Sequence, residues 1–366
     1  MGRRRDHAIE SILDRIEDRL IDAPEGLHQV GEPASADDLA AAAKAGLEPE
    51  VLALWRRWDG LDLGNGEARL LSLAEQVEAT AAASDEGILR PGDRVIGEFG
   101  AAILVVPADP WAEGGEVMMV EDDGERAPYA SSVGKLALGL VAEMSLLYDD
   151  EGEYRDGLFE EHGQLAEKAE RKLLRRRLDF DEDAPFPRFR LAQLLRRGGE
   201  LRGAKSELRR VLHCAPEFEW AHWELGRTLL ALADAQDAAG SREEAARSFA
   251  AAAERCADPH LKALFLAWQA IASEGEAREH TAAEVLRLDP GFVAAREAGL
   301  REAIEDEDGA RARELLTLGL AIEPRHLGLL ALRKAVDAIA DAPADEPVDE
   351  PDEPVDEPMD EPVDED

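Results

Sequence analysis

Cysteine is almost absent: the 366 residues hold only Cys214 and Cys256. Two thiols cannot build a disulfide framework, and their scarcity fits a reducing compartment. Aromatic residues are few, at 5% against 45% hydrophobic residues, many of them alanine. That balance points to helices rather than thick sheets. No apolar run approaches the roughly 18 residues of a membrane span. The opening MGRRRDHAIESILDRIEDRL lacks the apolar core and cleavage site of a secretory signal, and reads as an amphipathic helix. Asp6 stands where an N-myristoylation signal needs Ser or Thr. A cytoplasmic protein with no membrane attachment is the expectation. Positive charge is also short: 42 Lys and Arg face 81 Asp and Glu, a net charge of −39. Such a surface repels nucleic acid and anionic lipid, which are bound through Lys and Arg, and favours a basic protein partner.

Catalytic signatures are missing as well. The sequence has no nucleophile elbow, phosphate loop or zinc-binding helix motif, and the glycines of GDRVIGEFG are too widely spaced for a dinucleotide fingerprint. No enzymatic activity, catalytic residue or cofactor is therefore expected. His213, Cys214, His222, Cys256 and His260 have metal-ligand chemistry, but their places at helix ends read as structural, and no metal is expected.

Five segments are legible: an N-terminal helix (1–29), a mixed domain (30–148), a charged helical linker (149–184), a helical repeat array (185–340) and an acidic tail (341–366). Residues 345–366 carry thirteen carboxylates and no Lys or Arg, and without them the charge is still −26. Their Pro-Asp-Glu repetition cannot bury a core and predicts a disordered tail. In the mixed domain, Asp37 and Asp38 after Ser35 open one helix, Pro49 begins a second, and Ser72 a third. After Pro91-Gly92-Asp93 the pattern turns to short strands, RVIGEF, AAILVV and EVMMVE. Ser131 or Ser132 then caps the apolar helix VGKLALGLVAEMSLL.

Within LEPEVLALWRRWDGLDLGNGEARLLSL, a helix supplies Trp55 and Trp58 and ends in the turn Asp59-Gly60. GDRVIGEFGAAILVV gives a strand pair beginning with Gly-Asp, and YASSVGKLALGLV a closing helix. In order and spacing these resemble the SUKH superfamily, which includes a fungal cell-wall synthesis regulator and many bacterial immunity proteins. The resemblance covers roughly residues 30–148. It implies an α+β domain, a small antiparallel sheet packed with helices, that neutralises a toxin or regulates a partner enzyme. Trp55 and Trp58 lie on a helix whose apolar side must meet that sheet, so a structural role is expected for this motif.

Pro216, Pro290 and Pro324 each follow a helical stretch, and Pro290 and Pro324 are 34 residues apart. WAHWELGRTLL supplies Leu225-Gly226, and the following helix supplies Ala245, Phe249 and Pro259. These features resemble tetratricopeptide repeats. About seven extra residues in ALADAQDAAG are expected to lengthen one helical hairpin by two turns, and LGLLALRKAVDAIA is expected to cap the array. The resemblance implies an all-α solenoid whose concave groove binds peptides or partner proteins. Phe186, Phe189, Trp220, Trp223 and Trp268 fall on first helices, and Arg227 joins them when Leu225-Gly226 sets the register. These six are the candidate contacts, with packing between repeats as the competing reading for each Trp. Trp111, in the polar loop DPWAEGGE, is the candidate contact of the mixed domain.

One stretch runs against the general charge: residues 168–210 hold fourteen Lys or Arg and seven Asp or Glu. Solvated helix faces explain most such clusters, and docking of the acidic tail is an alternative. The sequence thus favours a non-catalytic binding protein with a basic partner, a toxin in the immunity version. The other reading is a repeat scaffold in which the first domain only tethers.

Overall fold

The computed structural model describes residues 2–47, 49–110, 115–160, 163–236 and 239–340. Trp111 and the acidic tail, both singled out from the sequence, lie outside the described residues. The chain divides into two compact units, Met1–Pro290 and Gly291–Asp366.

The first unit opens with α1 (Gly2–Ile21), β1 (His28–Val30), α2 (Ala36–Lys44), α3 (Pro49–Arg57), β2 (Leu61–Leu63), β3 (Ala68–Leu70) and α4 (Leu73–Asp85). Then come β4 (Arg94–Phe99), β5 (Ala102–Val106), β6 (Val117–Val120), β7 (Arg126–Ala130) and α5 (Val133–Leu147). The strands form one antiparallel meander in the order β1 to β7. Helix starts follow local chemistry. The Ser35 hydroxyl accepts from Asp38 N, Ser72 and Glu75 close a reciprocal capping box, and Ser132 accepts from Lys135 N. Each cap satisfies amides that have no partner in a first helical turn.

Both faces of the sheet are covered. Leu63, Leu70, Ile96 and Leu104 join α1, α3 and α5 in the main core, while Val95, Val105, Met118 and Val120 pack with Ala79 and Ala83 of α4 on the other side. This explains why all four residues of β6 are buried and why no alternation of polar and apolar residues marks it. The Trp55 indole, fully buried, donates to the Leu71 carbonyl at 2.8 Å, and Trp58 is buried beside it. The Asp59 carboxylate accepts from Leu73 N at 2.8 Å, and Gly60 turns the chain at φ 103°, a region open to glycine. The motif therefore ties α3 to the β2–β3 hairpin and to the start of α4.

The stretch read as a charged helical linker is helical only over α6 (Glu167–Phe180), and α6 is packed into the fold. Before it, isolated antiparallel bridges join Tyr148 to Tyr154 and Phe159 to Leu165. Arg177 of α6 is buried between Glu143 of α5 and the Tyr129 hydroxyl of β7, bonded to both. Its guanidinium lies 5.1 Å from the Phe99 ring centre and 4.9 Å from that of Tyr129. Asp181 accepts from Ser131 N at 2.8 Å and pairs with Lys135 at 3.3 Å. Burial alone would lower the Arg177 pKa, but Glu143 and Tyr129 outweigh it and hold the group above its ordinary value. Burial likewise pushes the Tyr129 hydroxyl up to about 12.

Antiparallel helix pairs follow: α7 (Pro185–Arg197) with α8 (Leu201–Cys214), α9 (Glu219–Gln236) with α10 (Ala239–Arg255), and α11 (Pro259–Ala272) with α12 (Gly275–Leu288). The α9–α10 pair is the long one, at 18 and 17 residues against 13 or 14 in its neighbours. The inserted residues are thus shared between the two helices, about one turn each and two turns in all. At Gly226 a Cβ would stand 2.6 Å from the Phe249 ring, so the absent side chain is what lets α9 and α10 close. Ala127 of β7 packs in the cluster of Phe189, Phe218 and Phe249, and Phe186 packs against the core of the mixed domain. Sheet and helix pairs therefore share apolar packing within this unit.

The second unit holds α13 (Phe292–Glu305) and α14 (Gly309–Ile322), a further antiparallel pair, with α15 (Leu327–Ala340) against both. Leu329 of α15 fills the space over Gly319 of α14. Among the described residues no helix is long and apolar enough to cross a membrane.

Candidate partner-binding site

Trp220, Trp223 and Arg227 stand at i, i+3 and i+7 on α9, which puts them on one helix face. Phe265 and Trp268 do the same on α11. The two faces meet. Trp220 and Trp223 touch edge to face at 5.3 Å, Trp220 meets Phe265 at 5.3 Å, and Trp223 meets Trp268 at 6.3 Å. Trp268 stacks on Phe249 at 5.8 Å. The Arg227 guanidinium lies 4.7 Å from the Trp223 ring centre and 4.9 Å from that of Trp268. Phe249 and Phe265 are fully buried, whereas the three tryptophans and Arg227 are half-buried. The rings are therefore anchored from below and reachable from above. The Trp223 and Trp268 indole nitrogens are shielded from solvent and have no hydrogen-bond partner among the described residues.

Beside these rings stands the turn between β6 and β7. Glu121 N donates to the Glu125 carbonyl and Gly124 N to the Glu121 carbonyl, both at 2.9 Å, and Glu125 N donates to the Asp123 carboxylate at 2.9 Å. The turn carries Glu121, Asp122, Asp123 and Glu125, and with Met119, Arg126, Ala127 and Phe186 they line a cleft of about 660 Å³. Arg126, the adjacent cation, is turned inward to pair with buried Asp93 at 2.8 Å, which leaves the outer side of the turn acidic. The Trp220 indole lies near enough to Glu125 to lower its pKa. Burial raises the Glu125 pKa, with Asp123 adding to the effect, the indole opposing it and Glu121 again raising it.

Of the residues picked from the sequence, Trp220, Trp223, Arg227 and Trp268 come together here. Phe186 is half-buried, 5.7 Å from Tyr129 and 6.2 Å from Phe189, and faces the acidic cleft. Phe189 is a correction. At 6% exposure, edge to face with Phe218 at 5.1 Å, it is a core residue and offers no surface to a partner. The acidic turn was not picked out, although EDDGE between two apolar runs is a visible turn signal. The histidines and cysteines disperse. His222 Nε2 lies 2.8 Å from the Pro216 carbonyl, Cys256 Sγ 3.5 Å from that of Asp258, and His260 pairs with Asp289 at 3.3 Å. Among the described residues no group of three potential ligands gathers as a metal site.

No protein-family model matches the chain, and no curated protein matches it. Solved structures do match. One is YrrB, whose crystal structure is described as that of a TPR protein with an unusual peptide-binding site. The match is 19% identical, covers 44% of this chain and 97% of that one, and has a TM-score of 0.19.

The site can hold a chain segment by contact. Large rigid rings give area at low entropic cost, the paired indoles accept cations over their faces, and the turn supplies concentrated negative charge.

Proposed function

We propose that this protein is a non-catalytic interaction module that binds a basic peptide segment of a partner protein. The segment lies on the Trp220, Trp223 and Trp268 face, with the β6–β7 turn as its acidic wall. The observation that carries this reading is the place of the β6–β7 turn: its Glu121, Asp122, Asp123 and Glu125 share one cleft, and Glu125 lies near enough to Trp220 for the indole to lower its pKa. Arg227 between two indoles supports it, because a guanidinium already fits there. On this reading the helix pairs are tetratricopeptide repeats, supported by the 34-residue proline interval and the Gly226–Phe249 contact.

The full chain is to be screened against an array of Lys/Arg-rich peptides and matched acidic and apolar ones. Basic peptides are retained, and Trp223→Ala or Trp268→Ala weakens them by about 2 kcal/mol or more, near thirtyfold. Retention of only acidic or apolar peptides, or indifference to both substitutions, sinks the proposal. Acidity is a second check. The raised Glu125 carboxyl takes up its proton earlier than an ordinary Glu as pH falls, so affinity begins to drop at a higher pH than an ordinary carboxylate would set. Glu125→Gln flattens that drop in a pH titration of binding.

The narrower version makes the partner a toxin and rests on the resemblance of residues 30–148 to the SUKH superfamily. Its test is protection of cells expressing a basic toxin by the full chain, lost with Glu125→Gln and Asp123→Asn together. The scaffold version predicts binding without protection.

A further inference from the structure

A second charged feature, of opposite sign, is shared by α1 and α6. Arg15 and Arg19 of α1 and Arg176 of α6 converge on one ring: their guanidinium carbons lie 5.1, 5.1 and 5.0 Å from the centre of Phe180. The chain has almost two carboxylates for every cation, and most nearby arginines are claimed. Arg188 pairs with Glu207 and Arg196 with Glu224, Arg190 with Glu170 at 2.7 Å, and Arg209 with Glu244 at 2.7 Å. None of Arg15, Arg19 and Arg176 forms an ion pair among the described residues. Asp22, whose charge reaches Arg19, and Asp179, on the groove wall, form none with them either. The Arg176 Nε is buried without a hydrogen-bond partner.

The cluster continues along α6. Lys168, Lys172 and Arg175 line, with Arg176 and Leu146, a groove of about 1000 Å³. Among the described residues these three form no ion pair either, while Arg171 in the same groove is held by Glu200 and Glu167. Like charges at i, i+4 on a helix repel, and Phe180 offers each guanidinium only a weak cation–π attraction. The Arg19 pKa is accordingly lowered, by burial first and then by Arg176 and Arg15.

We propose that Arg15, Arg19 and Arg176 form a binding site for a small phosphate-bearing anion, with Lys168, Lys172 and Arg175 receiving a second phosphate. Forked guanidinium donors match phosphate oxygens two at a time, and three guanidiniums gathered around one ring suit a compact polyvalent anion better than a strand of spaced carboxylates. The surrounding negative field disfavours a long polyanion such as nucleic acid. The site lies on α1 and α6, so it stands whether or not the aromatic face binds peptides.

Inorganic pyrophosphate is titrated into the full chain by calorimetry and by thermal unfolding, with sodium sulfate and sodium chloride at matched ionic strength. Saturable binding and a raised midpoint are expected with pyrophosphate. Arg19→Gln and Arg176→Gln each weaken binding by about tenfold or more, and Arg202→Gln on α8 leaves it unchanged. Without ligand, Arg176→Gln keeps or raises the midpoint, because it relieves repulsion; a lowered midpoint with unchanged pyrophosphate binding would show cation–π packing alone and overturn the proposal. No saturable heat, an equal response to sulfate and chloride, or binding of a poly-glutamate peptide in preference to pyrophosphate overturns it as well.

Discussion

Replacing Arg177 with methionine lowers the stability of the Met1–Pro290 unit by about 3–5 kcal/mol, the usual cost of stranding one partner of a buried ion pair. All six tryptophans lie before Pro290, so their fluorescence in a urea titration reads this unit, and the midpoint falls. Glu143, 5% exposed, would be left charged with no counter-charge. Pairing the change with Glu143→Leu recovers most of the loss, since two apolar side chains of similar volume can replace a buried pair. Acidity gives a third readout. With Arg177 gone, burial raises the Glu143 pKa in the folded state well above its unfolded value, and a raised carboxyl favours folding at low pH. The Arg177→Met penalty is therefore smaller at pH 5 than at pH 8. A loss under about 1 kcal/mol, or one independent of pH, would mean that Glu143 is solvated and that α6 does not lock the sheet to the helices. The lock has a functional consequence, because the acidic turn follows the sheet and Trp220 follows the helix pairs. Loosening α6 therefore weakens capture of a basic peptide without touching any contact residue.

Gly226→Ala is expected to cost about 1–3 kcal/mol by overpacking. The added methyl would stand 2.6 Å from the Phe249 ring, which is fully buried and stacked under Trp268. The ring can move only by displacing Trp268, so the same substitution lowers peptide affinity and shifts tryptophan emission. Phe249→Leu in the Gly226→Ala background restores part of the stability. A neutral Gly226→Ala would show that α9 and α10 have slack at this crossing.

Helix positions were legible because their determinants are local. Ser35 and Ser72 cap the helices expected to start there, Ser132 is the one of Ser131 and Ser132 that caps the next, and Pro49 and Pro259 sit in first turns. The strands β1, β2 and β3 were missed because three residues carry no usable period, and β7 because its sequence, RAPYA, places a proline in a strand. The role of residues 167–180 was hidden for another reason. A run of arginines looks solvated until a buried carboxylate is found opposite one of them, and Glu143 is 34 residues away from Arg177. Phe189 read as a contact because it shares a helix with Phe186, but one helix has a core side and an open side, and only packing decides which ring goes where.

By itself the sequence determined a chain of capped helices around short strands, the pairing of later helices, and an excess of negative charge, since propensity, capping and composition act within a few residues. Tertiary structure alone decided that the EDDGE turn meets Trp220, that Arg177 is buried, and that three arginines converge on Phe180. Those outcomes depend on which distant groups share a desolvated space, where the energy of a charge is set by its neighbours in three dimensions rather than along the chain.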